Sequence, residues 1–172
     1  MPIKNKLLFI FFLSLFFLNM KVNANEFDIT AKEIIVDKEN ETLVGTGSVE
    51  AKDTEGRIIS ADKISYIKSK EFLQAEGNVK IYDMEGNILI SDKATYDKIN
   101  EIITTYDKTE FHLKEGYKLL SKNINYNTDK KVLSSNENSI FTDGDGNIIE
   151  TSMFQYQIES NLFSSIGEIK VV

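Results

Sequence analysis

Apolar and polar positions along this chain repeat with a period of thirty residues. Written in rows of that length from Phe27, the sequence falls into 27–56, 57–86, 87–116, 117–146 and a shorter last row, 147–172, without a gap. A fixed period of this size is the signature of a repeat architecture. Three apolar columns run through all five rows: Ile29/Ile59/Leu89/Leu119/Ile149, Ile34/Ile64/Ala94/Ile124/Phe154 and Leu43/Leu73/Ile103/Leu133/Phe163. Gly56, Gly86, Gly116 and Gly146 close the four complete rows, and Gly47, Gly77 and Gly167 share an inner column.

Within each row the alternation has period two. From Leu73 to Ile81 every odd-numbered residue is apolar or small and every even one polar, the pattern of a half-buried strand. Ile59 and Ala61 face one way and Ile64 and Tyr66 do too, so the intervening Asp62-Lys63 shifts the parity and predicts a bulge or a strand break. Polar stretches such as 37–41 and 67–71 read as turns, as does Asp83-Met84-Glu85-Gly86. No window from Glu26 onward holds a helical period, and β-branched and aromatic residues fill the periodic positions, so the fold class predicted is all-β. The one proline is Pro2 and no Ser/Gly-rich tract interrupts the rows. One domain over 25–172 is therefore expected.

A single thirty-residue unit cannot bury its own apolar face, whereas five stacked units form a continuous apolar trough between two sheet-like walls. Some inward columns are small: Ala31/Ala61/Ser91/Ser121/Thr151 and Gly45/Ala75/Thr105/Ser135/Ser165. Small columns allow the walls to pack closely, or leave room for a long apolar guest. The ends carry no cap of charge or proline, so Phe27 and Ile29 at one end and Ile169 and Val171 at the other are candidate edge strands for addition of a partner strand. Complementary ends imply head-to-tail association.

Residues 1–24 read as an export signal: Lys4 and Lys6 lead an apolar run over 7–18, and Val22-Asn23-Ala24 ends in small residues suited to cleavage. An uncleaved membrane anchor is the rival reading, but a span needs about 20 apolar residues. The segment carries three lysines and no acid, so its removal takes the net charge from −7 to −10. That balance disfavours a nucleic-acid partner, whose binding rests on phosphate neutralisation. With no cysteine the chain has neither a disulfide framework nor a lipid-attachment thiol. A periplasmic location is expected.

Catalytic equipment is thin. His112 is the single histidine and sits between Phe111 and Leu113 in a predicted strand, so no catalytic residue, metal site or cofactor is assigned. Asp143-Gly144-Asp145-Gly146-Asn147 has the spacing of a calcium loop, but Ile148 stands where the loop glycine belongs, and the row register makes it another closing turn. Tyr66, Tyr96, Tyr126 and Tyr156 form a column read either as an aromatic ladder stacked along one sheet face, with the hydroxyls at its rim, or as the lip of the trough where an amphipathic ligand crosses.

The stretch Ala61-Asp62-Lys63-Ile64-Ser65-Tyr66, the run from Leu73 to Ile81 with its Ala75-Glu76-Gly77-Asn78-Val79 centre, and Ser91-Asp92-Lys93-Ala94-Thr95-Tyr96-Asp97 resemble the periplasmic lipopolysaccharide-transport family whose module is the organic-solvent-tolerance (OstA-like) N-terminal domain. The resemblance is strongest over 59–97, and the other rows match by column. Asp107 and Glu137 depart from it, standing where the inner glycine belongs. The resemblance implies a folded-over β-jellyroll whose trough receives the acyl chains of lipid A, joined edge to edge with copies or relatives in a bridge between inner and outer membranes. It implies the free LptA-type bridge component or, alternatively, the N-terminal module of the LptD-type barrel component. On that reading the inward residues Ile59, Ile64, Val79, Ile81, Leu89, Phe111, Leu119, Ile124, Phe141 and Phe154 are the candidate lipid-lining set. A purely structural module that docks to an outer-membrane barrel without holding lipid is the alternative from another class, and a lipid hydrolase a distant third.

Overall fold

Antiparallel strands form wherever the alternation runs, and the polar stretches between them turn the chain back. The computed structural model describes residues 27–171; the export-signal reading of 1–24 lies outside them. The strands are β1 (Phe27–Thr30), β2 (Glu33–Asp37), β3 (Thr42–Asp53), β4 (Ile58–Ile67), β5 (Phe72–Tyr82), β6 (Ile88–Asp97), β7 (Ile102–His112), β8 (Lys118–Lys122), β9 (Asn125–Asn127), β10 (Val132–Ser135), β11 (Ser139–Thr142), β12 (Ile148–Thr151), β13 (Phe154–Gln157), β14 (Leu162–Ser165) and β15 (Ile169–Val171). Lys68–Lys70 adds a single 3-10 turn. The fold is all-β, a folded-over jellyroll made of one antiparallel sheet.

Folding the sheet along its middle makes two walls of ten strands each. Wall one runs β1-β3-β4-β5-β6-β7-β8-β11-β12-β15, and wall two runs β2-β3-β4-β5-β6-β7-β9-β10-β13-β14. The long strands β3 to β7 contribute one half to each wall. Their register slips at the crossing, between Thr46/Val49, Ser60/Lys63, Glu76/Val79 and Ser91/Lys93. These slips are the parity shift that Asp62-Lys63 announces in the sequence, and together they form a spine. From β8 onward the crossing is a gap instead, at 123–124, 136–138, 152–153 and 166–168.

Most of the inner-glycine column takes positive φ, whether the strand runs through the crossing or breaks there. Gly47, Gly77 and Gly167 cross the spine at positive φ, and Asp107 adopts the same region at φ 60°, so loss of the glycine there does not stop the bend. Glu137 does not take positive φ, and β10 and β11 part around it. The small inward columns lie along this spine. Hydroxyls there cap carbonyls freed at the crossing: from the columns Ser135 Oγ donates to Lys122 O (2.7 Å) and Thr151 Oγ1 to Met153 O (3.0 Å), and from beside them Ser139 Oγ donates to Glu137 O (2.7 Å).

One inner row spans each wall. On wall one the cross-strand neighbours are Ile29, Ala51, Ile59, Ile81, Leu89, Phe111, Leu119, Phe141, Ile149 and Val171. On wall two they are Val36, Leu43, Tyr66, Leu73, Tyr96, Ile103, Tyr126, Leu133, Tyr156 and Phe163. A ladder of tyrosines stacked on one another is therefore corrected: an intervening aliphatic strand separates each ring from the next, because equivalent residues thirty apart lie two strands apart. The tyrosines meet rings of the opposite wall or wall end instead, Phe27 against Tyr66 (5.0 Å), Phe111 against Tyr126 (5.4 Å) and Phe141 against Tyr156 (5.3 Å).

Two kinds of turn close the walls opposite the spine. At the tips of wall one, Asp53, Asp83 and Asp143 each accept two backbone N–H groups on one carboxylate oxygen, from the residues two and four further on. Asp143 thus holds the turn in the calcium-like stretch. At the tips of wall two, Glu41, Glu71, Glu101, Lys131 and Asn161 all take a left-handed conformation, and the carbonyls of the first four each accept an N–H from the next turn. The spine is the more demanding place for a side chain. A Cβ at Gly77, at φ 77°, would collide with the Asp62 carboxylate, whereas one at Gly116, at φ 89°, meets nothing within 4 Å. Gly77→Ala should lower stability by roughly 2–4 kcal/mol and Gly116→Ala by about 1–2 kcal/mol, in urea unfolding midpoints.

Candidate functional site

The ten sequence-predicted lining residues come together. Ile59, Ile64, Val79, Ile81, Leu89, Phe111, Leu119, Ile124, Phe141 and Phe154 all belong to one buried cluster between the walls, each at most 6% exposed. They fill the trough rather than line an open one. Behind the mouth, between Arg57, Ile81, Asp83, Leu89, Phe111 and Tyr126, a cavity of about 10 Å³ remains. Of the two readings of the small columns, close packing is the one this structure displays.

Open space lies at the amino-terminal end. There a groove of about 400 Å³ is lined by Phe27 and Ile29 of β1, Val36 of β2, Leu43 of β3, Tyr66 of β4 and the turn residues Lys38, Glu41 and Lys68. It exists because the walls are offset. Glu55 of the turn between the second and third strands of wall one meets Lys98, between the fifth and sixth strands of wall two, at 2.5 Å. Glu85, between the fourth and fifth strands of wall one, meets Lys131, between the seventh and eighth of wall two, at 2.9 Å. An offset of three strands leaves wall two overhanging at the amino-terminal end and wall one at the other. The inner rows show the result: Val36 is 58% exposed and Val171 69%, whereas Ile29 and Phe163 are partly buried against the core.

The candidate edge residues lie in terminal strands of wall one. Among the described residues β1, carrying Phe27 and Ile29, pairs only with β3, and β15, carrying Ile169 and Val171, pairs only with β12. β2 and β14 hold the same terminal places on wall two. Backbone at all four edges therefore points outward along the stack. Phe27 itself is buried against Tyr66 and Tyr96.

The middle of the mouth is closed by charge. Arg57, 5% exposed, donates to Asp53 Oδ2 at 2.6 Å and to the Tyr96 hydroxyl, which in turn donates to Glu101 Oε2 at 2.6 Å. Lys98, 8% exposed, donates to both Glu55 and Glu101. Thr128 Oγ1 completes the set on Glu101 Oε2 at 2.6 Å. Arg57, Asp53 and Glu55 belong to wall one; Tyr96, Lys98, Glu101 and Thr128 belong to wall two. Burial on its own would push the Glu101 carboxyl up, but hydrogen bonds from Lys98, Thr128 and Tyr96 outweigh it and hold the group below the usual glutamate range. Burial would likewise lower Lys98, and Glu101 and Glu55 hold it above the usual lysine range. Tyr96 is pushed up by burial and by its bond to Glu101, so it stays protonated.

Sequence reasoning did not find this lock. Arg57 is the only arginine in the chain, which is a signal, and Tyr96 belongs to a column already singled out. Nothing in the register of one repeat shows that the turn at 53–57 faces the turn at 98–101. The tyrosine rings do sit at the mouth, with hydroxyls toward the rim, but they are buried beneath the turns and form no wet lip. His112 is a strand residue on the outer side of wall one beside Glu110, at 3.2 Å.

No protein-family model matches the sequence, and no curated protein matches it. The fold has a solved counterpart. The crystal structure of LptH, the LptA-homologous periplasmic component of the conserved lipopolysaccharide transport device of Pseudomonas aeruginosa, matches with a TM-score of 0.50 at 9% identity, over 87% of this chain and 98% of that one. The fold is LptA-like. At that identity the likeness speaks for architecture, a two-walled β-jellyroll.

The lock fixes a pH dependence. A carboxyl whose folded pKa is depressed stabilises the fold above its unfolded value, about 4.3 for glutamate, and that contribution is lost as pH falls through the folded value. Asp53, Glu55, Arg57, Tyr96 and Lys98 face Glu101 or its partners. Thermal midpoints measured from pH 7 downward should therefore drop below the glutamate range. Glu101→Gln should cost roughly 1–3 kcal/mol at pH 7 and flatten that drop.

Proposed function

We propose that this chain is a non-enzymatic periplasmic carrier in a lipopolysaccharide-transport bridge. Residues 1–24 direct export and are cleaved, and 25–172 form the working module. The supporting observation is a single apolar surface that runs the length of a two-walled, LptA-like fold and comes to the surface at both overhangs. Acyl chains of lipid A lie against the inner rows, gaining roughly 0.8 kcal/mol for each CH₂ removed from water. The phosphorylated sugar stays outside. Leu43, Val36 and Ile29 in the amino-terminal groove receive the chains first, and Ile59, Ile64, Val79, Ile81, Leu89, Phe111, Leu119, Ile124, Phe141 and Phe154 form the path beyond.

The same geometry supports end-to-end joining with copies or related bridge proteins of the two membranes. Each wall has ten strands in strict antiparallel alternation, so β1 and β2 of a following copy meet β15 and β14 in the orientation that continues the sheet. The offset makes the ends complementary. The wall-one overhang with Ile149, Ile169 and Val171 would cover the wall-two overhang with Ile34, Val36 and Leu43 of the next copy.

The filled interior favours a second reading, a structural module that docks to an outer-membrane barrel and holds no lipid. Ligand-linked stability separates the two, since a ligand bound only by the folded state raises its midpoint. Lipopolysaccharide should raise the thermal midpoint, and a photo-crosslinker at Leu43 or Ile81, but not at Lys80 on the outer face, should capture it in cells. Capture at none of the three by a folded, exported chain would leave the docking module standing. Val171→Glu should shift sedimentation at high concentration toward the monomer by at least threefold in dissociation constant, without moving the thermal midpoint, because Val171 is exposed in the single chain.

A further inference from the structure

The buried charges across the mouth have no part in holding acyl chains, and their placement gives them another one. Arg57 and Lys98 tie the tips of opposite walls together over the middle repeats, and directly behind them the trough is full: the remaining cavity, about 10 Å³, is the size of one water. The amino-terminal groove of about 400 Å³ lies on the far side of this tie. No acyl chain passes from the groove to Ile81 or Phe111 while the tips are joined and the core is packed.

We propose that this ion-pair lock is a gate for loading the trough: it keeps the empty carrier shut and opens when a lipid spreads the walls. The inference rests on the carrier reading above. Charge suits a closure that must open. An apolar seam over the same mouth would lose its burial on opening and gain nothing in return, whereas Arg57, Lys98 and Glu101 regain hydration as they separate, which offsets the broken contacts. One flank is already in water, because the Glu55 side chain is 56% exposed. The three-strand offset adds leverage, since one tie joins repeats that are not neighbours in either wall. The empty, shut state is the competing state for the ligand, so apparent lipid affinity is the open state's affinity multiplied by the fraction of molecules that are open. Weakening the lock then lowers stability and raises lipid capture at once. A merely structural tie moves both downward.

The chain has no cysteine, which makes the test clean. Glu55→Cys with Lys98→Cys, bridged by a short thiol-to-thiol reagent that dithiothreitol cleaves, fixes the mouth shut; Glu85→Cys with Lys131→Cys serves the same purpose one repeat later. Glu101→Gln loosens it. Photo-crosslinkers at Leu43 in the groove and Ile81 behind the lock report where lipopolysaccharide sits, and an apolar fluorescent dye reports the ligand-free interior. In the bridged protein, capture at Leu43 should persist and capture at Ile81 should fall at least fivefold, returning on cleavage. In Glu101→Gln the dye signal and capture at Ile81 should both rise at least threefold while the thermal midpoint falls. Capture at Ile81 unchanged by bridging, or reduced in Glu101→Gln, overturns the gate and leaves the carrier intact. Absence of lipid capture at both positions in the unmodified protein overturns the carrier reading, and the gate falls with it.

Discussion

Everything in this fold depends on the bend at the spine. A pleated sheet of ten strands has no reason to double over unless each strand breaks its hydrogen-bonding register at the same height. This chain enforces the break by repetition: a polar residue, Lys32, Asp62 or Asp92 in the first three rows, stands at the parity shift, and a residue of the strand beside it adopts positive φ. Gly47, Gly77 and Asp107 supply that conformation in the first three repeats. A bend frees carbonyls from the ladder, and a buried carbonyl without a partner costs free energy. Ser135 and Thr151 answer that need from the small inner columns, and Ser139 from beside them. Their size also decides how near the walls approach, so the spine sets the width of the interior.

From that width the rest of the packing follows. Small residues line the spine, and toward the mouth larger groups fill the interior, aliphatic and aromatic on both sides. Each tyrosine reaches across or along to a phenylalanine, and its hydroxyl is carried to the rim, where Tyr96 joins Arg57 and Glu101. The polar closure therefore completes the apolar core: it lies where the rings end, and it satisfies groups that the rings themselves bring there. The offset of the walls decides which turns meet, and so which charges could be placed at the tips.

Much of this was legible in the sequence because repetition multiplies weak signals. One alternating stretch such as 73–81 says strand; five of them thirty residues apart say stacked sheet, and the parity shift at Asp62-Lys63 marks the spine. The inward set, from Ile59 to Phe154, was legible for the same reason. The contents of the trough were not, because a column of small residues reads the same whether it brings walls together or leaves space between them. The stacked tyrosine ladder failed on topology: residues equivalent in successive rows look adjacent on the page, but hairpins place a strand between them. The pairing of Arg57, Lys98 and Glu101 could not be read from the lone arginine that signals it, since it depends on the offset between walls, and no single wall encodes that.

The change in the spine along the chain has a mechanical meaning. From β3 through β7 the polypeptide runs unbroken from one wall to the other, so that part is a creased plate, and pulling its walls apart bends ten- to twelve-residue strands. Beyond Lys122 the strands stop on each side, and hydroxyls and short connections join the walls. That half is a hinged pair of leaves. Equal torque at the mouth therefore swings the carboxy-terminal leaves further than it flexes the amino-terminal plate, and the molecule is stiff at one end and compliant at the other.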